Sequence, residues 1–468
     1  MNETSPAGAG GRSSHPALLF AVIVAAMMIK LLLLYYVNSL PLIGDENKYW
    51  QKSLEVLGNY FSRLDYQAPL YFIYLAVNKI IWGDHALPAV RIEQVVLHSL
   101  EIYLIYLLAA RYFSKRQALI TGVIASFYPE LAAYSYLIFS EVVFLAFFLP
   151  SVLLYFIGLK TNRGKGLACL AGSGVLYGLV SLTRSINFLF FPLIIIHLWI
   201  FKKGNLRVKI ASLLALTLSM SGVVAIQTVK NYRVAHCLIL IDTCVGDNLH
   251  KSYNLAPSPH YHGKFHRSKE LINRPRCRAG NICQQTRCEI KNALEFIYEN
   301  PGLTLGRAGY KALDLYSPKL TIFRNIDRKN LESDYSDDAD DADDALEKAG
   351  ERGEPAGHQA LGIKVIGSGS YLVLILLALL GLFASPEWEF KSFTILLILY
   401  HTLVCAFYFA VNRYRMPFVP FLIVYAGYFL GIGGNDFRNL KRWKLLAAVI
   451  LWSLLLGFYL PRLHLILQ

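Results

Sequence analysis

Long apolar runs separated by short polar segments dominate the chain. Each run is close to 20 residues, the length that an α-helix with a rise of 1.5 Å per residue needs to cross a hydrocarbon core of about 30 Å. The pattern predicts an all-α, polytopic transmembrane helical bundle. We interpret eleven runs as spans, at 17–38, 89–110, 117–137, 142–160, 166–183, 185–201, 208–228, 362–384, 391–411, 415–432 and 443–461.

The composition agrees with a membrane protein. Apolar residues make up 55% of the chain and charged residues 17%, against roughly 25% charged residues in soluble proteins. The 46 basic and 32 acidic side chains give a net charge of +14, a balance that would suggest nucleic-acid binding in a soluble protein. The apolar runs exclude that class, and they also exclude a coiled coil and a small disulfide scaffold.

Clusters of basic residues predict the orientation of the bundle. They lie in alternate loops, at 111–116, 160–165, 202–209 and 438–444. Because short cytoplasmic loops retain Lys and Arg, we place these loops and the N-terminal tail 1–16 in the cytoplasm. The opposite face then carries two long segments. The first, 39–88, interrupts a transmembrane core at 17–228, and the second, 229–361, precedes C-terminal helices at 362–468.

The first external segment, 39–88, is too long for a hairpin and too polar to span. Four side chains in it recur at helical spacing, which is typical of a helix lying in the membrane interface: Trp50, Leu54, Leu57 and Phe61. The stretch 69–82 is apolar but only about 14 residues long, so we expect it to be interfacial or re-entrant rather than spanning.

The second external segment contains five of the seven cysteines: Cys237, Cys244, Cys277, Cys283 and Cys288. An external compartment permits two disulfides and one odd thiol, with the connectivity open. The run 332–347 is acidic and of low complexity, which favours a solvated insert over a calcium loop. Zinc binding by the histidines of this segment is the minor alternative, because no cysteine or carboxylate stands at a recognised ligand spacing beside them. These histidines are His250, His260, His262 and His266.

Ionisable residues stand at or within predicted spans, where each charge is costly without a partner or a function. Arg91, Gln94, His98 and Glu101 follow one another at spacings of three, four and three residues, which places them on one helical stripe. We expect this stripe to face the bundle interior. It then serves either as a polar seam between helices or as part of a site.

Several charges collect at the outer ends of spans, against the charge rule. Asp45 and Glu46 follow the first span at the membrane–water boundary, where a partly desolvated carboxylate becomes a better base. Glu141 opens a later span, and three arginines stand at comparable positions: Arg184, Arg413 and Arg415. Snorkelling to lipid phosphate is the plain interpretation of these arginines. A phosphate or pyrophosphate site is the alternative that the accompanying acids favour.

These residues form a series that resembles the polytopic GT-C glycosyltransferases of the protein-mannosyltransferase and aminoarabinose-transferase kind. The resemblance extends over roughly 17–432, apart from the acidic insert. The segments that carry it occur in the family's order: Asp45-Glu46, Gln67-Ala68-Pro69-Leu70-Tyr71, Arg91, Ser140-Glu141, Leu182-Thr183-Arg184, Lys230-Asn231-Tyr232-Arg233, Gly246-Asp247-Asn248-Leu249, Glu299-Asn300-Pro301-Gly302 and Arg413-Tyr414-Arg415-Met416-Pro417. At Gln67-Ala68 the chain departs from relatives, which often have His or Lys and a further Pro.

The resemblance implies a GT-C helical bundle whose active site lies on the non-cytoplasmic face. The implied donor is a polyprenyl-phosphate monosaccharide, which is transferred with inversion to a lipid, glycan or protein acceptor in the bacterial inner membrane, with the site in the periplasm and no cofactor required. Asp45 would be the base and Glu46 a ligand of the acceptor or sugar. The donor phosphate would be held by Arg91, Arg184, Arg413 and Arg415, and the remaining substrate contacts would come from Gln67, Tyr71, Glu141 and Asn248.

Two other functions fit parts of the same pattern. A flippase or transporter of the lipid-linked sugar would use the polar stripe as a pathway, but the chain shows no inverted repeat. A polysaccharide ligase would use outer arginines and a large late loop, but it would leave the Asp45-Glu46 step without a role.

Overall fold

The computed structural model of the chain describes residues 15–38, 42, 44–161, 163–253, 277, 280–318, 358–408, 412–433 and 441–460. Its helices, in chain order, are α1 (His15–Val37), α2 (Asp45–Gly58), α3 (Leu70–Trp82), α4 (Ala86–Tyr112), α5 (Lys115–Phe127), α6 (Pro129–Tyr134), α7 (Glu141–Lys160), α8 (Arg163–Thr183), α9 (Phe191–Phe201), α10 (Leu206–Ala235), α11 (Cys244–Ser252), α12 (Ile282–Glu299), α13 (Pro301–Leu315), α14 (His358–Ala384), α15 (Trp388–Phe407), α16 (Val419–Leu430) and α17 (Arg442–Tyr459). Short 3₁₀ turns occupy Gly83–His85, Ser185–Phe190 and Asn412–Arg415.

The predicted all-α polytopic architecture is confirmed. Within the described residues, eight helical segments are long and apolar enough to cross a membrane: α1, the α3–α4 run, α7, α8, α10, α14, α15 and α17. The Ser185–Phe201 segment that contains α9 and the helix α16 are apolar but shorter. The predicted run 117–137 is divided into α5 and α6 at Tyr128, because Pro129 has no N–H to continue the helical ladder. The count of eleven spans therefore stays a prediction.

Three of the four predicted basic loops, those at 111–116, 160–165 and 202–209, begin at the same end of the bundle. The Lys202 ammonium donates to the carbonyl of Gly158 at 2.8 Å, and Arg111 Nη2 donates to the carbonyl of Phe156 at 2.8 Å. The Lys160 ammonium lies 3.6 Å from Glu389. These contacts bring the C-terminal ends of α4, α7 and α9 and the start of α15 to the same end of the bundle. We call this the basic end and the opposite one the site end.

The first external segment folds as two helices against the site end. Most of the predicted amphipathic helix is present as α2, which carries Trp50, Leu54 and Leu57, whereas Phe61 lies exposed in the turn that follows the helix. Gly83 has a φ of 51°, a left-handed conformation that suits glycine, and the chain reverses there. As a result α4 runs back along α3. The Tyr71 hydroxyl donates to Gln94 at 3.1 Å, and the Tyr74 hydroxyl donates to Glu93 at 2.9 Å.

The second external segment carries two disulfides in its described part, Cys237–Cys283 and Cys277–Cys288. Cys244 is the thiol left over from the five, so the prediction of two pairs and one odd thiol is confirmed. The bridges tie α12 to the end of α10 and to the turn before α12. The acidic run 332–347 and His260, His262 and His266 lie outside the described residues.

The bundle packs closely where glycines face a neighbouring helix. A Cβ added at Gly174 of α8 would stand 2.3 Å from the carbonyl oxygen of Leu216 in α10, and one at Gly178 would stand 2.6 Å from Val223. Close approach of small residues is a main route to helix association in membranes. This contact fixes α8 against α10, and so it fixes the level at which Arg184 leaves α8.

Candidate active site

Four stretches of chain meet at the site end and bring the charged residues together. They are the start of α2, the start of α7, the residue that follows α8, and the 3₁₀ turn Asn412–Arg415 before α16. Asp45 opens α2 directly after Gly44, whose φ is 54°, and Glu141 opens α7. An acid in the first turn of a helix is favoured by the macrodipole, so the sequence places both carboxylates at stable helix starts.

Asp45 pairs with Arg413, a residue nearly 370 positions away in the chain. An Asp45 oxygen lies 2.8 Å from Arg413 Nη1, and the two side chains are 35% and 21% exposed. The Arg413 guanidinium lowers the pKa of the Asp45 carboxyl, while burial opposes that effect and Lys48 adds to it. Asp45 is therefore ionised at neutral pH, and it is the most accessible carboxylate of the cluster.

A second ion pair lies beside the first. Arg184 Nη1 donates to Glu141 at 2.5 Å, and both side chains are buried. The Arg184 guanidinium also lies over the ring of Tyr414, 5.4 Å from its centroid. Burial raises the pKa of Tyr414 to about 12, against the effect of Arg413 and Arg184, so its hydroxyl stays protonated. The pair thus forms one wall of the cluster.

Tyr49 links the two ion pairs. It stands one helical turn after Asp45 in α2, and it interacts electrostatically with Asp45, Arg413, Glu141 and Arg184. Burial raises the pKa of its hydroxyl, which keeps Tyr49 a hydrogen-bond donor. The spacing of four residues from Asp45 is the signal that would have identified Tyr49 from the sequence.

Glu46 points the other way from Asp45, into the protein. Its side chain is 0% exposed, and Oε1 accepts a hydrogen bond from the backbone N–H of Ile138 at 2.9 Å. The prediction that Glu46 binds the acceptor or sugar does not fit this placement, because adjacent residues of a helix face different directions. Glu46 instead fixes the start of α2 to the segment that leads into α7.

Arg91 also differs from its predicted role. It is buried, and its Nη1 donates to the carbonyl of Val37 and to Asn38 Oδ1, each at 3.1 Å. These contacts hold the end of α1, from which the first external segment departs. The predicted burial of the stripe is confirmed, since Gln94, His98 and Glu101 are buried with Arg91. The carbonyl ligands give Arg91 a positioning role in this arrangement.

Arg415 is likewise occupied by protein partners, although it stands two residues from Arg413. Its Nε donates to Glu130 at 2.8 Å, its Nη1 donates to the carbonyl of Ser317 at 2.6 Å, and its guanidinium stacks 3.7 Å from the ring of Tyr371. The side chain is completely buried. The prediction that Arg415 holds a donor phosphate does not fit this environment, which joins α6, α13 and α14.

The remaining predicted residues surround the cluster at different depths. Tyr71 is fully buried, with its ring edge-on to Tyr49 at 5.1 Å, so it supports the cluster from the protein interior. Gln67 is half-buried in the segment before α3. Asn248 donates to the hydroxyl of Tyr408 at 3.0 Å, and so it docks α11 on the end of α15.

A buried ion pair that sequence reasoning missed ties the first external segment to α10. Asp65 Oδ2 accepts from the Lys230 ammonium at 2.6 Å and from Gln227 Nε2 at 3.0 Å. The backbone carbonyl of Asp65 accepts from the N–H of Thr243 at 3.1 Å, and the Tyr60 hydroxyl donates to Gln227 at 2.6 Å. We call Asp65, Lys230 and Gln227 the loop tether. Among the described residues, no three His, Cys, Asp or Glu side chains are grouped as a metal site.

Part of the chain is similar to a known protein family. The family model described as dolichyl-phosphate-mannose-protein mannosyltransferase matches residues 66–227, and comparison with curated proteins gives no match. Among solved structures, the apo oligosaccharyltransferase of Archaeoglobus fulgidus has 12% identity and a TM-score of 0.49, over 94% of this chain and 54% of that chain. ArnT from Cupriavidus metallidurans, bound to undecaprenyl phosphate, has 13% identity and a TM-score of 0.38, over 89% of this chain and 78% of that chain.

The chain thus spans about half the length of the archaeal oligosaccharyltransferase. The family match covers α3 to most of α10, the part of the bundle that contains Arg91, Glu141 and Arg184. The match of residues 66–227 to the mannosyltransferase family confirms the resemblance of this polytopic chain to the GT-C glycosyltransferases.

Proposed function

We propose that the chain is a membrane glycosyltransferase that moves a monosaccharide from a polyprenyl-phosphate donor to an acceptor at the site end of the bundle. The observation that carries this proposal is the Asp45–Arg413 pair, a partly exposed carboxylate held 2.8 Å from a guanidinium. A base and a phosphate ligand are the two groups that such a transfer needs, and here they stand side by side.

In the proposed reaction an oxygen of the acceptor attacks the anomeric carbon while the bond from that carbon to the donor phosphate breaks. The proton of the acceptor passes to Asp45, and the electron pair of the broken bond leaves with the lipid phosphate. Attack from the side opposite the leaving group inverts the anomeric centre. The base is ionised beforehand because Arg413 lowers the pKa of Asp45.

Arg413 then changes its partner as the charges move. When Asp45 takes the proton it loses its negative charge, and the lipid phosphate gains one in the same step. The guanidinium of Arg413 can therefore pass from the carboxylate to the phosphate without losing an ionic partner. A preorganised cation at the developing charge is an established source of transition-state stabilisation. Arg184, held by Glu141 at 2.5 Å, is the second candidate ligand of the phosphate.

The roles proposed here differ from those that the sequence suggested. Asp45, Arg184 and Arg413 remain the proposed reactive and phosphate-binding residues, whereas Glu46, Arg91 and Arg415 are proposed to position them. We place the reaction on the non-cytoplasmic side of a bacterial inner membrane, because the basic end carries the Lys and Arg clusters that stay in the cytoplasm. The acceptor is a lipid, a glycan or a protein.

The base is tested by Asp45→Asn in the purified full chain. We expect transfer of labelled sugar from a polyprenyl-phosphate donor into an envelope extract to fall by about 10²–10⁴-fold, with binding of polyprenyl phosphate retained. Asp84→Asn is the matched control, since Asp84 is an exposed acid in the turn between α3 and α4. Full transfer by Asp45→Asn would refute the role of Asp45.

The phosphate ligand is tested by Arg413→Gln. We expect this variant to bind polyprenyl phosphate more weakly and to transfer sugar more slowly, because one charge-assisted contact is lost. Arg63→Gln is the control, since Arg63 forms an ion pair with Glu55 on the surface of the same external segment. Equal binding of polyprenyl phosphate by the wild type and Arg413→Gln would remove Arg413 from the phosphate site.

A further inference from the structure

A groove on the outside of the bundle holds a buried lysine that the proposed reaction does not use. It is a cavity of about 190 Å³ between α1 and the α5–α6 break, lined by Ala26, Ile29, Lys30 and Leu33 on one side and by residues of 126–136 on the other. One water molecule needs only about 10–15 Å³. The groove is therefore large enough for part of a larger ligand.

The rim of the groove is apolar and faces away from the protein. Ile29, Leu33 and Phe127 are about half exposed, on helices that lie in or beside predicted spans. In a membrane these side chains face lipid, so the groove opens sideways into the bilayer. At the back of the groove the helical ladder is interrupted at Tyr128, before Pro129. Irregular backbone at membrane depth is tolerated where it lines a cavity or is buried in protein.

Lys30 is the charged residue in this wall. It is 4% exposed, and its ammonium makes no hydrogen bond among the described residues. It interacts electrostatically with Glu101, whose Oε2 lies 3.0 Å from His98 Nδ1. Lys30 stands seven residues before the end of α1, which is about 10 Å along the helix. Its long stem allows the ammonium to rise from that depth toward the headgroup level.

We propose that this groove binds an anionic phospholipid from the bilayer. The apolar rim would accept one hydrocarbon chain, and the Lys30 ammonium would pair with the lipid phosphate as it turns away from Glu101. A zwitterionic phospholipid carries the same phosphate beside a headgroup cation of its own, which repels the Lys30 ammonium, so charge complementarity favours the anionic lipid. The site is distinct from the Asp45–Arg413 pair, and its existence does not depend on the proposed reaction.

The groove also adjoins the candidate active site through one short segment. Tyr136 lines the groove, the N–H of Ile138 donates to Glu46, and the ring of Phe139 lies 5.7 Å from the Arg413 guanidinium. A lipid against Tyr136 therefore lies within a few residues of two contacts that position the start of α2 and Arg413.

Native mass spectrometry of the full chain in neutral detergent tests the proposal, with phosphatidylglycerol and phosphatidylcholine of identical acyl chains titrated separately. We expect the wild type to bind phosphatidylglycerol about tenfold more tightly, the factor that about 1.4 kcal/mol of a charge-assisted contact provides. Lys30→Met should bind the two lipids equally. Glu101→Gln should bind phosphatidylglycerol more tightly than the wild type, because it removes the carboxyl that competes for Lys30.

Ala132→Leu tests the groove by its volume alone. Ala132 lines the groove, and a larger side chain would fill it without changing its charge. We expect this variant to bind both lipids more weakly. Equal binding of the two lipids by the wild type would overturn the proposal, and so would an undiminished preference in Lys30→Met. Binding of polyprenyl phosphate at this groove without binding of phosphatidylglycerol would also overturn it. Glu101→Gln and Ala132→Leu decide the question if Lys30→Met does not fold.

Discussion

Removing Lys230 from the loop tether should destabilise the protein strongly. The Lys230 ammonium lies 2.6 Å from Asp65, and the two side chains are 4% and 2% exposed. Lys230→Met keeps most of the volume but leaves the Asp65 carboxylate buried without its cation. Breaking a buried ion pair from one side costs about 3–5 kcal/mol, and we expect Lys230→Met to lower the free energy of unfolding by that amount.

Replacing the partner Asp65 should lower the free energy of unfolding by less. Asp65→Asn keeps an oxygen that can accept from Lys230 and Gln227, and the ammonium retains the ring of Tyr60, 4.8 Å from its centroid. We expect a loss of about 1–3 kcal/mol. The double variant removes both charges together. Its loss in the free energy of unfolding should therefore be about 2 kcal/mol smaller than the sum of the two single losses, a coupling within the range for residues in contact.

The assay is reversible unfolding of the purified chain in mixed micelles with increasing SDS, carried out for all four members of the cycle. Limited proteolysis of the external segment 39–88 reports whether the tether holds it. We expect faster cleavage there in Lys230→Met than in the double variant. Additive losses in the cycle, or unchanged cleavage in Lys230→Met, would contradict this prediction, because either result would mean that the two charges do not act on each other in the folded protein.

Three further outcomes follow from the geometry. In the wild type Asp45 should stay ionised, and transfer should persist, as pH falls from 7 to about 5, because Arg413 lowers the pKa of Asp45. In Arg413→Gln the acid limb of the pH–rate profile should move to higher pH. An unmoved acid limb would mean that another group is the base. Breaking the Cys237–Cys283 bridge by paired serine substitutions should lower the free energy of unfolding by about 2–4 kcal/mol, measured by the same SDS titration; unchanged stability would contradict this. Cys244 should react slowly with iodoacetamide at pH 7.5, since burial raises the pKa of its thiol; labelling at the rate of a free thiol would show that this region opens.

Much of the architecture could be predicted because the bilayer restricts it. Apolar runs near 20 residues predicted the polytopic bundle, and the basic clusters predicted which helix ends meet. The break at Tyr128–Pro129 was missed, since hydropathy averages over a run and does not register the lost N–H of one proline. The α3–α4 hairpin depends on Gly83, a single residue in an otherwise helical pattern.

The sequence indicated which charged residues gather at the site, but not which of them pair with each other. Sequence spacing indicated that charges collect at one level of the bundle, but it could not tell that Asp45 pairs with Arg413 and not with Arg91. Whether an arginine is free to bind phosphate depends on its neighbours from other helices. Arg415 is taken by Glu130 and Ser317, and these contacts bring together residues separated by about 100 positions or more.

A cryo-EM structure of the full chain with bound polyprenyl phosphate would show whether Asp45 and Arg413 together receive the head of a lipid phosphate. We expect a phosphate oxygen at about 2.7–2.9 Å from the Arg413 guanidinium, with Asp45 facing the position that the sugar would occupy. A phosphate bound elsewhere on the bundle, with the Asp45–Arg413 pair unchanged and closed to the lipid, would contradict it.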